Sequence, residues 1–367
     1  VGASPFRDRM PMIFGSGRRR GADAAVAERE SPFAEDELAA STEDLLAELD
    51  TLVEQSRTRP EAELDRRMLK LRHLVGLRLT DRGGDEPEYP EPAFDRLPSG
   101  PGLPEFTADE LSPELVRAAL LRDGCILIRG LIEADEAGRL AGDIDRAFDA
   151  REAFRSGEST GDPYYEDFVP DPRFDLGAPR MAMGDASNLW GPDSPRVMAE
   201  LFDTFERTGL GRVATGYLGE RPAVSMQKCT LRRVFPDKFT EESPSFWHQD
   251  GAFLGHVRAL NMWLSLSRCG DVAPGLDIVP RRIDHIVPTG TKGAVFKWSV
   301  SQDTVDRVVG DSEVVRPVFE PGDGLLFDEL FLHATGADPG MPDTRYAVEC
   351  WLFGPSAYPR DYAPLVL

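Results

Sequence analysis

The sequence predicts a mixed α+β protein whose helices come first and whose strands form a sandwich or barrel. Before residue 210 the apolar residues recur mostly at helical spacing, whereas after residue 220 they fall into short runs separated by turn residues. Short strands at this spacing are typical of sandwiches and barrels, here with the helices packed outside. The predicted strands are residues 224–234, 260–266, 276–279, 314–319, 325–327 and 346–353.

The composition limits the possible classes of function. The 367 residues suffice for one large domain with an appendage, or for two domains. A formal net charge of −22 would repel phosphate backbones, which argues against nucleic acid as a partner. No apolar stretch is long enough to predict membrane insertion. The four cysteines lie far apart without a Cys-x-x-Cys pair, so we expect buried free thiols and a cytoplasmic protein.

The first 106 residues are predicted to form three segments. Residues 1–40 are rich in Gly, Ala, Arg and acids without a steady period, so we expect a poorly ordered N-terminal segment. Residues 41–79 are expected to form a helical hairpin appendage, because Ser41 resembles a helix cap and Pro60 suits the first turn of a second helix. Residues 80–106 carry Pro and Gly among acids, which is typical of a linker.

Residues 107–367 are predicted to form the main domain. It begins with a capped helix at Ser112-Pro113, followed by a buried strand within 124–130 and a second helix over 133–154. Residues 155–192 are rich in loops and aromatic side chains. Such a segment suits a lid or a substrate wall, and equally a loop that covers the core.

His248, Asp250 and His333 are the candidate metal ligands. About one His-x-acid match is expected by chance from five His and 64 Asp and Glu in 367 residues, so the first pair gains weight only from its context. On a strand, residues i and i+2 point the same way, so His248 and Asp250 can share one face. Two imidazoles and a carboxylate hold ferrous iron on one side and leave three positions open. The pattern, with Arg345 following His333, points to an oxygenase.

Several motifs resemble the phytanoyl-CoA dioxygenase family of iron(II)- and 2-oxoglutarate-dependent oxygenases. They are Trp-His-Gln-Asp-Gly at 247–251, Pro-Gly-Asp-Gly-Leu-Leu-Phe at 321–327, Leu-His-Ala-Thr-Gly at 332–336 and Arg345. Residues 123–131 are similar to the opening strand of that family. The resemblance covers residues 110 to 355 and leaves residues 1–105 unmatched.

The resemblance implies a fold, a cofactor and a co-substrate. The fold is a double-stranded β-helix, a jelly-roll or cupin-like core with packed outer helices and the N-terminal helical appendage. His248, Asp250 and His333 would bind Fe(II), and Arg345 would pair with the distal carboxylate of 2-oxoglutarate. Thr335 would add a hydroxyl to the same carboxylate.

Further contacts are expected on both sides of the metal. Either Gln227 or Lys228 is expected to reach the co-substrate, since strand alternation lets only one of them face inward. The residues expected to line the substrate pocket are Phe253, Trp263, Phe168 and Trp190.

The implied reaction uses O2 and releases succinate and carbon dioxide. We expect hydroxylation of an aliphatic C–H bond in a small or lipophilic molecule, although the same centre can desaturate, epimerise or close rings. Related halogenases replace the carboxylate ligand with a small residue, so Asp250 disfavours halogenation. The acidic chain gives no support for binding the phosphates of an acyl-CoA. Neither the substrate nor the oligomeric state follows from the sequence.

Two alternatives stay open. The first is a non-oxidative metal-dependent isomerase on a cupin-like barrel, which would need no 2-oxoglutarate and could dispense with Arg345. The second is a non-catalytic binding or scaffold protein. The intact ligand set argues against the scaffold, because a buried aspartate beside two histidines is costly without a metal or hydrogen bonds.

Overall fold

The computed structural model describes residues 30–367, except residues 160, 178, 181–186, 241, 242, 244, 311 and 312. Most of the predicted N-terminal segment 1–40 therefore lies outside the described residues, as does part of the 155–192 loop region. Within residues 30–40 the chain forms a short helix, and the side chain of Phe33 is buried.

The helices of the described chain lie mainly in its first 220 residues, as the spacing predicts. Ser41 caps the second helix by accepting a hydrogen bond from the backbone N–H of Asp44. Pro113 and Pro195 occupy the first turns of their helices. The helices are α1 Glu35–Ala39, α2 Thr42–Thr58, α3 Ala62–Arg82, α4 Pro113–Asp123, α5 Ala134–Ser156, α6 Pro195–Arg207, α7 Leu210–Leu218, α8 Gly251–Leu254 and α9 Gln302–Val309.

The strands form a large sheet and a small one. In the large sheet the order is β1-β2-β7-β5-β9-β4-β10, and β3 also pairs with β4. Only β1 and β2 are parallel among the described pairs; β6 and β8 form the small antiparallel sheet. The strands are β1 Glu105–Thr107, β2 Cys125–Arg129, β3 Asn188–Trp190, β4 Ala223–Val234, β5 Ala259–Ser265, β6 Gly275–Ile278, β7 Gly324–Phe327, β8 His333–Gly336, β9 Arg345–Phe353 and β10 Pro364–Val366.

Five of the six strands predicted in the second half are confirmed, and one prediction is wrong. Residues 314–319 do not form a continuous strand; Val315 and Phe319 make isolated bridges to Ile278 and Cys269. Pro317 lies between the two bridges and lacks the N–H that a ladder needs. The segment therefore pairs at two points, with β6 of the small sheet and with Cys269 in the loop after β5, without pairing along its length.

The side chains of β5 and β9 alternate between two apolar clusters. Met262, Val348 and Cys350 face outward and pack with helices α4 to α7. Trp263 and Trp351 face inward, into a cluster shared with residues of β6 in the small sheet. The two sheets thus enclose an inner face, and the helices cover the outer face of the large sheet.

The α2–α3 hairpin packs onto the main body of the protein. Leu71 and Val75 of α3 are fully buried in a cluster that also contains Met226 of β4 and Val366 of β10. His73, also on α3, accepts a hydrogen bond at Nε2 from the backbone N–H of Asp171 and bonds through Nδ1 to the carbonyl of Pro364. The hairpin therefore closes one side of the large sheet.

Among the described residues, no helix combines the length and the apolar character that crossing a membrane requires.

Replacing Leu71 with alanine should lower the free energy of unfolding by about 2–5 kcal/mol, because a fully buried leucine is lost from this shared cluster. Urea unfolding followed by circular dichroism should show one transition at lower denaturant. The matched control is Leu38→Ala, since that side chain is 51% exposed and should change stability little. A separate early transition with an unchanged main one would show that the hairpin folds independently.

Candidate metal centre

His248 and His333 are held opposite each other by their own backbones. The N–H of His248 donates to the carbonyl of His333 at 2.9 Å, and the N–H of His333 donates back at 3.0 Å. This antiparallel bridge brings the imidazole centroids to 4.3 Å. His333 is the first residue of β8, so the small sheet fixes the position of both side chains.

Each imidazole is oriented by a carbonyl two residues before it. Nδ1 of His248 lies 2.8 Å from the carbonyl oxygen of Phe246, and Nδ1 of His333 lies 3.1 Å from that of Phe331. A neutral imidazole that donates through Nδ1 presents an unprotonated Nε2, which is the form that binds metals. Burial, followed by the proximity of His333, lowers the pKa of His248 to about 3. His248 is therefore neutral at physiological pH.

Asp250 completes the cluster with one carboxylate oxygen. Its Oδ1 lies 3.5 Å from Nε2 of His248, while its Oδ2 accepts a hydrogen bond from the indole Nε1 of Trp351 at 3.1 Å. The three ligand atoms all lie within 4.8 Å of one another. Burial raises the pKa of Asp250, whereas His333, Lys228 and the hydrogen bond from Trp351 act in the opposite direction. The donor set and its spacing fit a divalent cation such as Fe(II).

The expectation that His248 and Asp250 lie on one strand is wrong for Asp250. Only His248 takes part in a β-bridge, whereas Asp250 has helical backbone angles and precedes α8. The intervening Gln249 is fully buried and bonds to the backbone of residues 285, 287 and 330. These bonds fix the loop from inside, so the two ligands converge through a turn instead of a strand.

Arg345 is a buried cation at the far end of β9. It is 1% exposed, and Nη1 donates to the carbonyl of Gly275 at 2.8 Å. Its Nε is buried without a hydrogen-bond partner, and the described residues give it no ion pair. Burial lowers the pKa of Arg345 to about 10. Thr335 lies close by, because it pairs with Leu276, the residue after Gly275, and follows His333 on the same face of β8.

The side chains of Gln227 and Lys228 point to different surroundings. Both ends of the Gln227 amide bond to the backbone before β10, at Asp361 and Ala363, so this side chain is not available to a co-substrate. Lys228 is buried and places its ammonium 3.9 Å from the ring centroid of Phe253. Burial lowers the pKa of Lys228 to about 8, while Asp250 and Glu349 act in the opposite direction.

Three inward-facing polar residues were not anticipated from the sequence. Asn261 is fully buried, and neither its amide nitrogen nor its oxygen has a hydrogen-bond partner. It pairs across the sheet with Phe327 and Trp351, whose side chains contact His333 and Asp250. The other two, Glu349 and Arg232, form an ion pair at 2.5 Å, and Glu349 interacts electrostatically with both histidine ligands.

A wall of half-buried aromatic rings extends outward from His248. Phe253 lies 6.5 Å from the imidazole in a stacked arrangement, and Trp298 meets it edge-on at 5.5 Å. Phe296 stacks on Trp298 at 5.0 Å, and Phe246 stacks on Phe296 at 5.6 Å. We call these four rings the aromatic wall. The two rings spaced two residues apart, Phe296 and Trp298, were the sequence signal that could have revealed half of the aromatic wall.

The other aromatic residues expected in the pocket lie elsewhere. Trp263 packs on Phe319 and lies 5.9 Å from the guanidinium of Arg345, so it belongs to the arginine end of the inner face. Phe168 contacts the edge of His73, and Trp190 is buried in the cluster under the α2–α3 hairpin. The structure does not bring Phe168 and Trp190 together with the metal ligands, because the hairpin covers them on the other side.

Comparisons with known proteins are distant. No protein-family model and no curated protein matches the chain. AviO1 from Streptomyces viridochromogenes Tue57 is 18% identical over 66% of this chain and 96% of its own, with a TM-score of 0.42. SnoK, a non-heme alpha ketoglutarate dependent carbocyclase from nogalamycin biosynthesis, is 15% identical over 70% and 87%, with a TM-score of 0.44. EctD from S. alaskensis is 18% identical over 75% and 94%, with a TM-score of 0.43.

Such low identities and TM-scores do not assign a function to this chain. The case therefore depends on the residues of the centre itself.

Replacing Trp351 with phenylalanine should weaken metal binding by about 10–100-fold, because Asp250 loses the donor that orients its carboxylate. Anaerobic competition for Fe(II) against a chelator would measure the affinity. The matched control is Trp263→Phe, which alters the same inner face without touching a ligand. Equal affinities in the two variants would show that the indole does not position the ligand.

Proposed function

We propose that this chain is an iron(II)- and 2-oxoglutarate-dependent oxygenase with a double-stranded β-helix core formed within residues 107–367. The observation that carries the proposal is the pairing of a His-Asp-His cluster with a buried, uncompensated arginine on one inner face. An iron site alone would not need the arginine. A dicarboxylate co-substrate that joins the two would need both.

Arg345 supports a carboxylate ligand on energetic grounds. A guanidinium that is 1% exposed has given up its water, and no acid of the described chain lies within ion-pair distance of it, although Glu349 interacts with it at longer range. Leaving a buried charge without a counterion costs several kcal/mol in typical proteins, roughly 3–5 kcal/mol when a partner is removed. A carboxylate arriving at Nε and the adjacent Nη would supply two parallel hydrogen bonds. Thr335 lies within the same corner of β6 and β8 and can donate its hydroxyl.

The buried amide of Asn261 is evidence for the metal-binding end of the same ligand. Two unsatisfied amide atoms in a fully buried side chain each cost about 1–3 kcal/mol, so natural proteins rarely keep them without a partner. Asn261 pairs with Phe327, which packs on His333, and with Trp351, which bonds to Asp250, and these neighbours support a role for its amide at the metal end of the ligand. A carboxylate or water held at the metal would satisfy it.

Different residues of the centre would have different roles in this reaction. Bound iron would activate oxygen and couple oxidative decarboxylation of 2-oxoglutarate, to succinate and carbon dioxide, to oxidation of a substrate C–H bond. His248, Asp250 and His333 would hold the metal on one side. Arg345 and Thr335 would fix the distal carboxylate, and the inward faces of β5 and β9 exclude water from the inner side of the centre. Asp250 keeps its carboxylate position filled, which leaves no ligand vacancy for a halide.

Hydroxylation is the proposed outcome, and the proposed relationship is to the phytanoyl-CoA dioxygenase family. The motifs at 247–251, 321–327 and 332–336 support that relationship. The α2–α3 hairpin is proposed to support the core structurally.

Anaerobic titration of the Fe(II) protein with 2-oxoglutarate should produce a visible charge-transfer band from the chelated keto acid. The Arg345→Ala variant should still bind iron, but its dissociation constant for 2-oxoglutarate should rise by about 100-fold or more, as expected when a buried ion-pair partner is removed.

The matched control is Arg316→Ala. Arg316 is ion-paired to Asp277 and Asp338 beside the same small sheet, so its loss should leave the band and the affinity almost unchanged. Iron binding without any band in the unaltered protein would favour the non-oxidative barrel instead. Absence of metal binding would favour the scaffold.

A further inference from the structure

We infer that the cavity between the α2–α3 hairpin and the main body binds a small zwitterion, with its ammonium group near Asp65 and its carboxylate near Arg72. The cavity has a volume of about 450 Å³ and is lined by α2 and α3 on one side and by α5 and α6 on the other. None of its lining residues belongs to the metal centre, so the inference does not depend on the proposed function.

The acidic end of the cavity is formed by Asp65 of α3, Asp143 of α5 and Glu200 of α6. Asp65 is fully buried, and its Oδ2 lies 2.9 Å from Nε of Arg196, but neither carboxylate oxygen has a hydrogen-bond partner of suitable geometry. Burial, followed by the nearby Asp143, raises the pKa of Glu200 to about 7, while Arg196 acts in the opposite direction. An ammonium group carries three donors and no acceptor, so it would satisfy carboxylate oxygens that the protein leaves unbonded.

The cationic end of the cavity is Arg72, which is 7% exposed. Its Nη1 donates to a backbone carbonyl of β10, and its guanidinium lies 3.9 Å from the ring centroid of Phe202. No acid of the described chain lies within ion-pair distance of Arg72, and the two acids that favour its charge act at longer range. Burial lowers the pKa of Arg72 to about 9. A carboxylate would offer this guanidinium two parallel hydrogen bonds.

The helix α3 sets the distance between the two ends. Asp65 and Arg72 are seven residues apart, so they lie on the same face of the helix with about 10 Å between them along its axis. A hydrogen bond at each end takes up about 2.8 Å, which leaves roughly 5 Å between the charged groups of the ligand. The lining between the two ends is apolar, with Met68 and Leu69 of α3 and Leu140 of α5. A chain of about four methylene groups would fit this spacing and this wall.

The remaining charges of the lining favour a ligand without net charge. Arg57 pairs with Asp203, and Arg207 pairs with both Asp203 and Glu136, so these side chains already have partners. Arg139 also lines the cavity but is exposed to solvent. A singly charged ligand would satisfy one end of the cavity and leave the other unmatched. Within the described chain, the three carboxyl groups of the acidic end do not form a group that could hold a metal ion, which favours an ammonium group there.

The test uses 5-aminopentanoate as the probe, with pentanoate and pentylamine as its singly charged matches. Anaerobic calorimetric titrations are made into the whole chain, once without additions and once with saturating Fe(II) and 2-oxoglutarate. 5-Aminopentanoate should bind at least about tenfold more tightly than either match, because only the zwitterion pairs with both buried ends. Its affinity should be the same in the two titrations, since the cavity lies apart from the metal centre.

Variants at each end separate the two contacts. Arg72→Met should reduce the advantage of 5-aminopentanoate over pentylamine to less than about threefold, and Asp65→Asn should do the same for its advantage over pentanoate. Glu200→Gln, at a half-buried position, should act in the direction of Asp65→Asn and tests the acidic end even if the Asp65 variant does not fold. The matched controls are Arg59→Met and Glu63→Gln, whose side chains are 84% and 85% exposed on the same hairpin and should leave both advantages intact.

Several results would overturn the inference. Equal affinities for the three probes, or no measurable binding of 5-aminopentanoate, would contradict a zwitterion site. An advantage that survives both Arg72→Met and Asp65→Asn would place the probe elsewhere. Loss of binding when Fe(II) and 2-oxoglutarate are present would place it at the metal centre. The proposed oxygenase function is tested separately, by the charge-transfer band, and stands or fails independently of these titrations.

Discussion

The reciprocal backbone hydrogen bonds between His248 and His333 are the interaction on which the rest of the centre depends. They fasten a loop outside the large sheet to the first residue of β8, at 2.9 and 3.0 Å. Because β8 pairs with β6, and Arg345 bonds to Gly275 of β6, the same small sheet positions both the metal ligands and the arginine. The spacing between the two halves of the site is thus built into the backbone, and side-chain packing only has to preserve it.

Near this bridge the protein buries polar side-chain atoms that have no hydrogen-bond partner among the described residues. Arg345 keeps an unpaired Nε, and Asn261 keeps two unpaired amide atoms, in positions that water does not reach. By contrast, Arg316, Arg268 and Arg129, which are more exposed, are matched by acids. Such orphaned groups cost stability and persist where a ligand compensates them. Buried polar atoms without a partner also occur elsewhere, for example at Asp65 and Asn188, but Arg345 and Asn261 share the inner face that carries the His-Asp-His cluster.

The residues of the His-Asp-His cluster could be found from the sequence because they sit in motifs, whereas the polar residues of the inner face could not, because strand register decides which side chains face inward. His248, Asp250, His333 and Arg345 could be found from types and order alone. Glu349 and Trp351 could not, since β9 is nearly continuous in burial and its inward face depends on pairing with β4 and β5. Phe168 and Trp190 were expected in the pocket from aromatic content, but the α2–α3 hairpin covers that region instead. Asp250 was expected on a strand and lies at a turn, because Gln249 is held by buried hydrogen bonds.

The most direct test of the central claim is an anaerobic crystal structure of the protein with Fe(II) and 2-oxoglutarate. The account predicts iron bound by Nε2 of His248, Nε2 of His333 and Oδ1 of Asp250. It also predicts the distal carboxylate of 2-oxoglutarate on Arg345 and Thr335, with the amide of Asn261 bonded near the metal. Iron at any other group of ligands, or a 2-oxoglutarate that leaves Arg345 without a carboxylate, would contradict it.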